Sequence, residues 1–514
     1  MSEFTVAVFS HHFVVYNYDR KGKEALLRFA VQFAEYTYIR KWNGEVERSI
    51  ARIYAARTKD SLEIRFHINV FDEFIEFLER SGYPKACIET HHFPLYEPVE
   101  VDFPIREGKQ PRDYQVPIID FLDFAKVPRK TKMVELQTGK GKTASALHAI
   151  ARMRRRVGIV VRAQYIKRWL QDLTGKDSTL NLSKDDVFVV QGTKQFQALI
   201  ELARLGKLEC KVIIFSNRTY ARFLDHYENF NRDTEMYGVH PNEVWQLLGI
   251  GIRLIDEVHQ DFHFNFRLDL YTHVPMTINL SATLVTTNPV VERMYNVMFQ
   301  KEDKAPLPDY DSYIAVKAFL FGLHDDKKIR YTQRGRDSYS HVVFEESIMR
   351  DKQMLARYLA MVDEIIYHEY ITVRQEGQRL LVFAATVEMC GIMAKHLKQK
   401  HLDLKVERYV GGDPYTNLME SDIAVSTLGS AGTAHDVPGL RVAFKTVAVD
   451  SPQANEQAKG RLRRLDHIYP GVVPVFAYLA CRDIPTHMKY HRNKLDRFRG
   501  RVSSHQVIDT GMKV

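Results

Sequence analysis

The fold class is decided by residues 136–143, whose sequence is LQTGKGKT. A glycine-rich turn that ends in Gly-Lys-Thr forms a nest of backbone N–H groups suited to the phosphates of a nucleotide. Residues 133–135 (MVE) before this turn are typical of a short strand, and residues 144–150 (ASALHAI) after it are typical of a helix. Because a P-loop requires strand, loop and helix in this order, the segment predicts a nucleotide-binding α/β domain.

Residue types within the turn suggest individual contacts with a nucleotide. Backbone N–H groups for the phosphates would come from Gly139, Lys140 and Gly141. Lys142 would reach the β- and γ-phosphates, and the hydroxyl of Thr143 would hold Mg²⁺. Leu136 stands where the common pattern has its first glycine, so a strict pattern search would miss this site. A glycine-rich turn with one surface lysine is the alternative interpretation of this segment taken alone.

A second motif supplies two adjacent carboxylates. Residues 254–259 (LIDEVH) run from apolar residues into Asp256 and Glu257, as a buried strand does where it ends at the edge of a parallel sheet. Asp256 is placed to hold Mg²⁺, and Glu257 to orient or deprotonate the attacking water. A lone Asp-Glu pair is usually a solvated strand end. Here it follows a P-loop by the length of a small domain, and the two motifs together predict ATP hydrolysis.

A third segment brings in arginine. Residues 457–464 (QAKGRLRR) place Gln457, Arg461 and Arg464 at three- and four-residue spacings, which predicts one shared helix face. We expect Gln457 to contact the nucleotide and the two arginines to act on its γ-phosphate, because a guanidinium fork binds phosphate oxygens bidentately. An exposed basic helix face is the alternative interpretation of this cluster alone.

In this order and spacing, the motifs resemble those of superfamily 2 helicases over residues 111–465. Residues 111–115 (PRDYQ) resemble the adenine-reading segment of that family, which implies that Gln115 bonds the base and that Arg112 or Tyr114 stacks on it. Further matches to family motifs are 281–283 (SAT), 380–384 (LLVFA), 425–440 and 457–464. The resemblance implies two RecA-like parallel-sheet motor domains, with ATP and Mg²⁺ bound by residues of both.

Three positions depart from the family pattern. Arg162 stands where proline is common after the strand of motif Ia, and Ala434 stands where glycine is common in motif V. Val258 excludes a close match to the Asp-Glu-Ala-Asp subfamily of RNA helicases. The departures at Arg162 and Ala434 affect the expected nucleic-acid contacts and leave the expected ATP site intact.

The first hundred residues narrow the resemblance to bacteriophage UvsW-type branch-migration helicases. Residues 38–45 (YIRKWNGE), an apolar strand around 62–66 and a helix over 70–81 resemble the small domain that contacts duplex DNA in those proteins. Asn43-Gly44 favours a hairpin turn, since Asn-Gly supports positive φ. A packed strand end is the alternative interpretation of an aromatic residue beside a basic pair.

The chain is therefore expected to be α/β, with four parts. These are a small α+β duplex-DNA-binding domain (1–95), RecA-like motor domain 1 (96–310), RecA-like motor domain 2 (311–480) and a basic C-terminal extension (481–514). Prolines between residues 84 and 111 predict a linker, and charged runs in 301–340 predict a hinge. Basic and aromatic residues interleave after residue 488, which suits nucleic-acid contacts, although a helix that packs Leu495 and Phe498 inward is equally compatible.

Composition agrees with a polyanionic partner. The 514 residues carry a net charge of +9, and 45% are hydrophobic, enough for several cores. The four cysteines lie far apart, which favours a reducing compartment over a zinc module. The sequence shows no signal peptide and no membrane span. We expect a cytoplasmic monomer without a membrane partner, located in the bacterial host if the gene is phage-encoded.

The sequence thus predicts an ATP-dependent DNA helicase or translocase that unwinds and branch-migrates forked or four-way DNA. Its expected partners are branched, forked, duplex and single-stranded DNA. One alternative is another superfamily 2 motor, such as an RNA helicase or the motor of a restriction system. A second is a nucleotide-gated DNA-binding scaffold, which could dispense with Glu257 or Arg464, yet the chain has both.

Overall fold

The computed structural model describes residues 4–40, 45–137, 139–282, 284–286, 288–306, 311–332, 338–431 and 437–514, with only the backbone at 39, 40, 431, 453 and 457. The chain divides into two compact units. Unit 1 comprises Met1–Leu136 and Lys140–Pro308, and unit 2 comprises Gln137–Gly139 and Asp309–Val514. Among the helices of the described ranges, none is long and apolar enough to cross a membrane.

The N-terminal part of unit 1 is α+β. Its strands are β1 (Phe4–Val8), β2 (His12–Tyr16), β3 (Ala34–Arg40), β4 (Val46–Ile53), β5 (Ala56–Arg57), β6 (Ile64–His67) and β7 (Ile88–His92), and its helices are α1 (Arg20–Val31) and α2 (Phe71–Arg80). Five strands form a sheet in the order β5-β6-β2-β1-β7, in which β7 runs parallel to β1 and the other pairs are antiparallel. The predicted strand around 62–66 and helix over 70–81 are confirmed.

Strands β3 and β4 form a separate antiparallel hairpin. The register pairs Tyr38 with Arg48 and Tyr36 with Ile50. Most of the described side chains of β4 are exposed, so this hairpin stands out from the N-terminal sheet. The turn expected at Asn43-Gly44 lies outside the described residues.

The rest of unit 1 contains a six-stranded parallel sheet. Its strands are β8 (Thr131–Glu135), β9 (Val157–Val161), β10 (Val187–Val190), β11 (Val212–Ser216), β12 (Ile252–Ile255) and β13 (Met276–Ser281). Its helices are α3 (Val116–Leu122), α4 (Lys142–Met153), α5 (Ile166–Thr174), α6 (Thr193–Arg204), α7 (Asn217–Asn229), α8 (Val244–Leu247), α9 (Phe262–Asp269) and α10 (Pro289–Met298). The order is β10-β11-β9-β12-β13-β8, so the carboxyl ends of all six strands meet at one edge.

The proline-rich stretch expected to be a linker is bonded along its length to unit 1. The N–H of Val99 donates to the carbonyl of Gly249 (3.0 Å), and that of Val101 donates to Arg154 (2.9 Å). Further along, the N–H of Asn181 donates to the carbonyl of Pro104 at 2.8 Å. Proline removes its own N–H but leaves its carbonyl and its neighbours free to bond. The segment is therefore a strap on unit 1 rather than a free spacer.

A buried polar layer joins the N-terminal sheet to the six-stranded sheet. The N–H of Ser10 donates to Nδ1 of His273 (3.1 Å), and His67 Nε2 lies 3.5 Å from Asp269 Oδ2. Asp269 in turn pairs with Arg253 on β12, and neither side chain has any exposed surface. Because buried charges are costly unless paired, this layer fixes the N-terminal sheet against the sheet that carries the nucleotide motifs.

Unit 2 contains a second parallel sheet, with seven strands. They are β14 (Ala315–Gly322), β15 (Arg379–Ala384), β16 (Val406–Tyr409), β17 (Ile423–Thr427), β18 (Leu440–Lys445), β19 (Val475–Cys481) and β20 (Ser504–Lys513). The helices are α11 (His341–Arg350), α12 (Lys352–Ile366), α13 (Val387–Lys400), α14 (Thr416–Met419), α15 (Leu428–Ala431), α16 (Pro452–Lys459) and α17 (Pro485–Phe498). The order is β16-β17-β15-β18-β19-β14-β20. The two parallel sheets and the N-terminal α+β region are the RecA-like architecture expected from the sequence.

The C-terminal segment is part of this sheet. Strand β20 pairs in parallel with β14, from Ala315 opposite Ser504 onward. Helix α17 buries Lys494 and Phe498, and the Nζ of Lys494 lies 4.6 Å from the ring centre of Tyr478. The expected basic extension after residue 480 is therefore the last helix and strand of unit 2. The alternative of an inward-packing helix is confirmed at Phe498.

Candidate nucleotide site

The P-loop follows β8 and leads into α4, as the sequence predicts. Gly139 and Gly141 adopt left-handed conformations with φ of 86° and 79°. This conformation favours glycine, and a Cβ at Gly141 would also collide with the amide nitrogen of Gln115. Helix α4 begins at Lys142, so Thr143 lies in its first turn, where free N–H groups attract anions. Thr138, within the same turn, lies outside the described residues.

Gln115 braces this loop. Its buried Nε2 donates to the carbonyls of Lys140 and Gly141, both at 3.3 Å, and its Oε1 accepts from the N–H of Arg112 at 2.9 Å. The hydroxyl of Tyr114 donates to the carbonyl of Lys140 at 3.2 Å, and the exposed guanidinium of Arg112 donates to that hydroxyl at 3.1 Å. The segment expected to read adenine therefore also sets the shape of the phosphate loop.

Lys142 lies beside Glu257. Its Nζ is 3.7 Å from Oε1 of Glu257 and donates to the carbonyl of Leu136 at 3.3 Å. Only 9% of the Lys142 side chain is exposed. The two motifs come together because β12 and β8 flank β13 in a parallel sheet, so that both follow carboxyl ends at the same edge.

Asp256 is partly buried, and both of its carboxylate oxygens accept hydrogen bonds. Its Oδ2 accepts from the indole N–H of Trp169 at 3.2 Å, and its Oδ1 accepts from the N–H of Glu257 at 2.9 Å. Burial and the adjacent charge of Glu257 raise the pKa of Asp256 to about 6. A cation at this position would relieve the repulsion between the two carboxylates, so the donor set fits a divalent metal ion.

His259 connects the acidic motif to the end of β13. Its Nδ1 lies 2.7 Å from the hydroxyl oxygen of Ser281 and 3.4 Å from Oε2 of Glu257. Burial lowers the pKa of His259, which favours the neutral ring. Glu257 itself has a φ of 51°, a conformation that is uncommon for a residue with a side chain. The Ser-Ala-Thr segment thus reaches Glu257 through a histidine, while Thr283 lies outside the described residues.

Arg162, the departure in motif Ia, has a specific partner that the sequence did not reveal. Its Nε and Nη2 bond Oδ2 and Oδ1 of Asp261, each at 2.7 Å. The side-chain amide of Asn217, just after β11, also donates to Asp261 at 2.9 Å. No sequence pattern marks Asp261, because its partners follow two other strands. The three residues form a polar cluster at the carboxyl edge of the sheet.

The arginine segment in unit 2 differs from the prediction. Helix α16 ends at Lys459, and Gly460 caps it, so Arg461 and Arg464 do not share a helix face with Gln457. The expectation of one helix was wrong because glycine is a poor helix former, and the spacing alone ignored it. Arg461 is buried, whereas Arg464 is half-exposed and pairs with Asp311. The side chain of Gln457 lies outside the described set.

Two other family motifs fall on the elements expected for them. Residues 380–384 belong to β15, and residues 425–427 belong to β17. Residues 432–436 of motif V, including Ala434, are outside the described ranges.

Comparison with known proteins gives one family match. Residues 108–286 match the family described as "ResIII: Type III restriction enzyme, res subunit", a range that contains the P-loop and the acidic motif. No curated protein matches the chain at a significant level. The ResIII match makes the chain similar to superfamily 2 helicase-like motors.

Several solved structures are similar at low identity. An HsdR subunit fragment of a type I restriction enzyme from Vibrio vulnificus is 14% identical, with 98% of this chain and 89% of that chain covered and a TM-score of 0.49. S. cerevisiae Dbp5 bound to RNA and ADP BeF3 is 12% identical, with 77% and 90% covered and a TM-score of 0.47. The Pyrococcus furiosus Hef helicase domain is 13% identical, with 76% and 100% covered and a TM-score of 0.43.

Proposed function

We propose that this chain is an ATP-dependent superfamily 2 motor that translocates on DNA and branch-migrates forked or four-way junctions. The observation that carries the enzymatic part is the meeting of Lys142 with the Asp256-Glu257 pair at one edge of a parallel sheet. A scaffold that only binds a nucleotide needs the phosphate loop and a cation site. A second carboxylate that acts on water, the role proposed here for Glu257, is needed only for hydrolysis.

Binding of ATP would use the P-loop. Backbone N–H groups of residues 139–143 and the ammonium of Lys142 would hold the phosphates, and Gln115 would keep the loop in shape. Thr143 and Asp256 would hold Mg²⁺, which neutralises phosphate charge when bound. The raised pKa of Asp256 supports this assignment, because a group that resists ionisation alone gains most from a cation.

Hydrolysis would use Glu257 and residues of unit 2. Glu257 would orient or deprotonate the attacking water, and His259 would fix the orientation of that carboxylate. Arg461 and Arg464 would neutralise charge that develops on the γ-phosphate, and Gln457 would contact the nucleotide. Phosphoryl transfer needs mainly positioning and electrostatics, and these residue types supply both.

Two features support DNA as the polymer on which the motor moves, namely the net positive charge of the chain and the β3–β4 hairpin. Tyr36, Tyr38, Arg48 and Ile50 share one face of this ribbon, and the guanidinium of Arg48 lies 3.5 Å from the ring centre of Tyr36. Tyr38 is 67% exposed. An exposed aromatic and basic face suits contacts with sugars, bases and phosphates. We assign the duplex contact to residues 1–95, in a protein that acts as a monomer.

A restriction-type motor is the second candidate, because the matched family is described as a restriction-enzyme subunit. Such a motor also hydrolyses ATP on DNA, so the ATP site does not distinguish a restriction-type motor from a branch-migration enzyme. The DNA products of the two enzyme classes differ. A restriction system yields cut duplex, whereas a branch-migration enzyme yields rearranged strands of unchanged length.

The test is ATP hydrolysis by the full chain with single-stranded DNA, forked DNA, four-way junctions and RNA, followed by gel analysis of the DNA. We expect the branched substrates to stimulate most and to be converted without cleavage, with Lys142→Ala as the inactive control. Stimulation by RNA alone would favour an RNA helicase, and cut duplex would favour the restriction motor. Nucleotide-dependent DNA binding without turnover would favour the scaffold.

A further inference from the structure

Residues 311–313 of unit 2 contact the arginine segment, and we call this set of contacts the clasp. Nε of Arg464 donates to Oδ2 of Asp311 at 3.0 Å, and Nη2 donates to Oδ1 of the same carboxylate. The hydroxyl of Tyr313 donates to the carbonyl of Leu462 at 2.9 Å, and the Arg464 guanidinium lies 5.3 Å from the Tyr313 ring centre. Residues 311–313 therefore fix both the backbone and the charged end of this segment.

A second carboxylate completes the enclosure. Nη1 of Arg464 lies 3.5 Å from Oδ2 of Asp466, so each nitrogen of the guanidinium faces a carboxylate oxygen. Two negative charges surround one positive charge. A guanidinium in this state cannot present its fork to phosphate oxygens, because the bidentate position is already taken by Asp311.

The two partners of this ion pair differ in exposure, which allows Arg464 to leave Asp311. The Arg464 side chain is 52% exposed, whereas that of Asp311 is 14% exposed, so the arginine can move while the carboxylate stays in place. Ion pairs with an exposed member are weak in water. Asp311 also stands just after the boundary between the two units at Pro308 and Asp309, so its carboxylate links the start of this part of unit 2 to Arg464.

We propose that Asp311 is a positioning residue that withholds Arg464 from ATP until nucleic acid engages the motor. The inference rests on the proposed function, since it requires Arg464 to act on the γ-phosphate. It goes further by predicting that one carboxylate keeps ATP turnover low when nucleic acid is absent. Asp466 supports the same withheld state with a longer contact, so its effect is smaller.

The experiment compares steady-state ATP hydrolysis of wild type, Asp311→Asn and Asp311→Glu, with and without DNA. Asp311→Asn should raise kcat without DNA by about two- to fivefold, the factor that corresponds to losing an exposed ion pair. The KM for ATP and the DNA-stimulated kcat should stay within about twofold. Asp311→Glu should restore the low idle rate, and Arg464→Ala in the Asp311→Asn background should abolish the gain.

A matched control is Asp496→Asn, which removes an exposed carboxylate that pairs with Arg499 on the same unit. It should leave both rates unchanged. Modification of Arg464 by phenylglyoxal, followed by mass spectrometry, gives a readout apart from activity and should be faster in Asp311→Asn. If Asp311→Asn folds poorly, Asp466→Asn should shift the idle rate in the same direction by less.

The outcomes separate the inference from the function on which it rests. An unchanged ratio of stimulated to idle kcat would overturn the inference while leaving the motor assignment intact. An equal fall of both rates would also overturn it, because Asp311 would then pre-organise Arg464 for catalysis. Absence of ATP hydrolysis by the wild type under every condition would reject the proposed function and this inference together.

Discussion

The Nζ of Lys142 lies 3.7 Å from Oε1 of Glu257, so the P-loop cation and the proposed water-activating carboxylate neutralise each other. Both side chains are mostly buried, and their attraction is therefore less screened than at a surface. Binding of a nucleotide would redirect Lys142 to phosphate and leave Glu257 for water. The proposed function therefore gives the two residues separable tasks in the same site.

We expect Lys142→Ala and Glu257→Gln each to abolish ATP hydrolysis by different routes. In the proposed mechanism Lys142 contacts phosphate in the ground state, so its loss should weaken ATP binding. Glu257 is proposed to act on water, so its loss should leave ATP binding largely intact. Equilibrium binding of a fluorescent ATP analogue beside steady-state hydrolysis distinguishes the two. Exposed Lys167→Ala and Glu201→Gln serve as controls, and wild-type hydrolysis by Glu257→Gln would contradict its assignment.

Arg464→Ala should reduce stimulated turnover by about 10³–10⁵, the range of arginine fingers that stabilise transition-state charge. The side chain is half-exposed, so its removal should leave the fold and DNA binding unchanged. Rapid-quench hydrolysis and DNA-binding titrations measure the two effects. A fall of less than about tenfold would mean that Arg464 serves only in the surface pair with Asp311.

Gln115→Ala should weaken binding of ATP and GTP to similar extents. Both hydrogen-bonding ends of this amide are engaged within the protein, with the P-loop carbonyls and the N–H of Arg112. Its loss should therefore distort the phosphate site whatever the base. The affinities of wild type and Gln115→Ala for ATP, GTP and inorganic triphosphate measure whether the loss depends on the base. A loss confined to ATP would show that reading the adenine edge dominates.

Glu345→Gln should change how the stability of unit 2 depends on pH. The buried carboxylate accepts from the N–H groups of Ala385 and Thr386 at 2.7 and 2.8 Å and from the Thr386 hydroxyl at 2.9 Å. Burial nevertheless raises the pKa of Glu345 from 4.5 to about 7. The folded state then binds more protons than the unfolded state between these values, so wild-type stability should fall as pH rises from 4.5 to 7.

The Gln variant lacks this titration. Its stability relative to wild type should therefore improve as pH rises through that window, even though it loses an acceptor at every pH. Amide hydrogen exchange of peptides covering residues 384–390, corrected for intrinsic rates, measures the local opening free energy. A difference between the two proteins that stays constant from pH 4.5 to 7 would contradict the raised pKa.

Local patterns in the sequence predicted the loop and strand geometry of the candidate nucleotide site because each motif is contiguous. The P-loop needs two glycines at positive φ before a helix, and the acidic motif needs an apolar strand before its carboxylates. Each requirement is met by residues that are consecutive in the sequence. Their meeting also follows from sequence, because parallel strands bring their carboxyl ends to one edge.

Contacts between distant segments were not predictable in this way. Asp261 and Asp311 each bind an arginine far away in the sequence, and a single aspartate carries no periodic signal. The helix expected over Gln457 to Arg464 failed at Gly460, where backbone propensity outweighed spacing. The prolines between residues 84 and 111 predicted a linker, whereas the strap around Val99 bonds to loops of unit 1, and no local pattern reveals such contacts.

Asp269→Asn should destabilise unit 1 by about 3–5 kcal/mol, since it leaves the charge of fully buried Arg253 without its counter-ion. Burial alone would raise the pKa of Asp269, but Arg253 and the neighbouring histidines lower it to about 2. Its contribution is therefore complete above the ordinary value of 3.8 and is lost as pH falls towards 2. Thermal unfolding of the full chain at pH 7 and pH 3 should show a large difference from wild type that shrinks in acid.

The control for this last variant is Asp225→Asn, which removes a more exposed partner of Arg267 in the same unit. It should cost less than about 1 kcal/mol. Because Asp269 also faces His67 on β6, its loss should loosen the N-terminal sheet, and limited proteolysis should release fragments of residues 1–95. An Asp269→Asn protein as stable and as protease-resistant as wild type would mean that the buried layer does not hold the N-terminal region to the motor sheet.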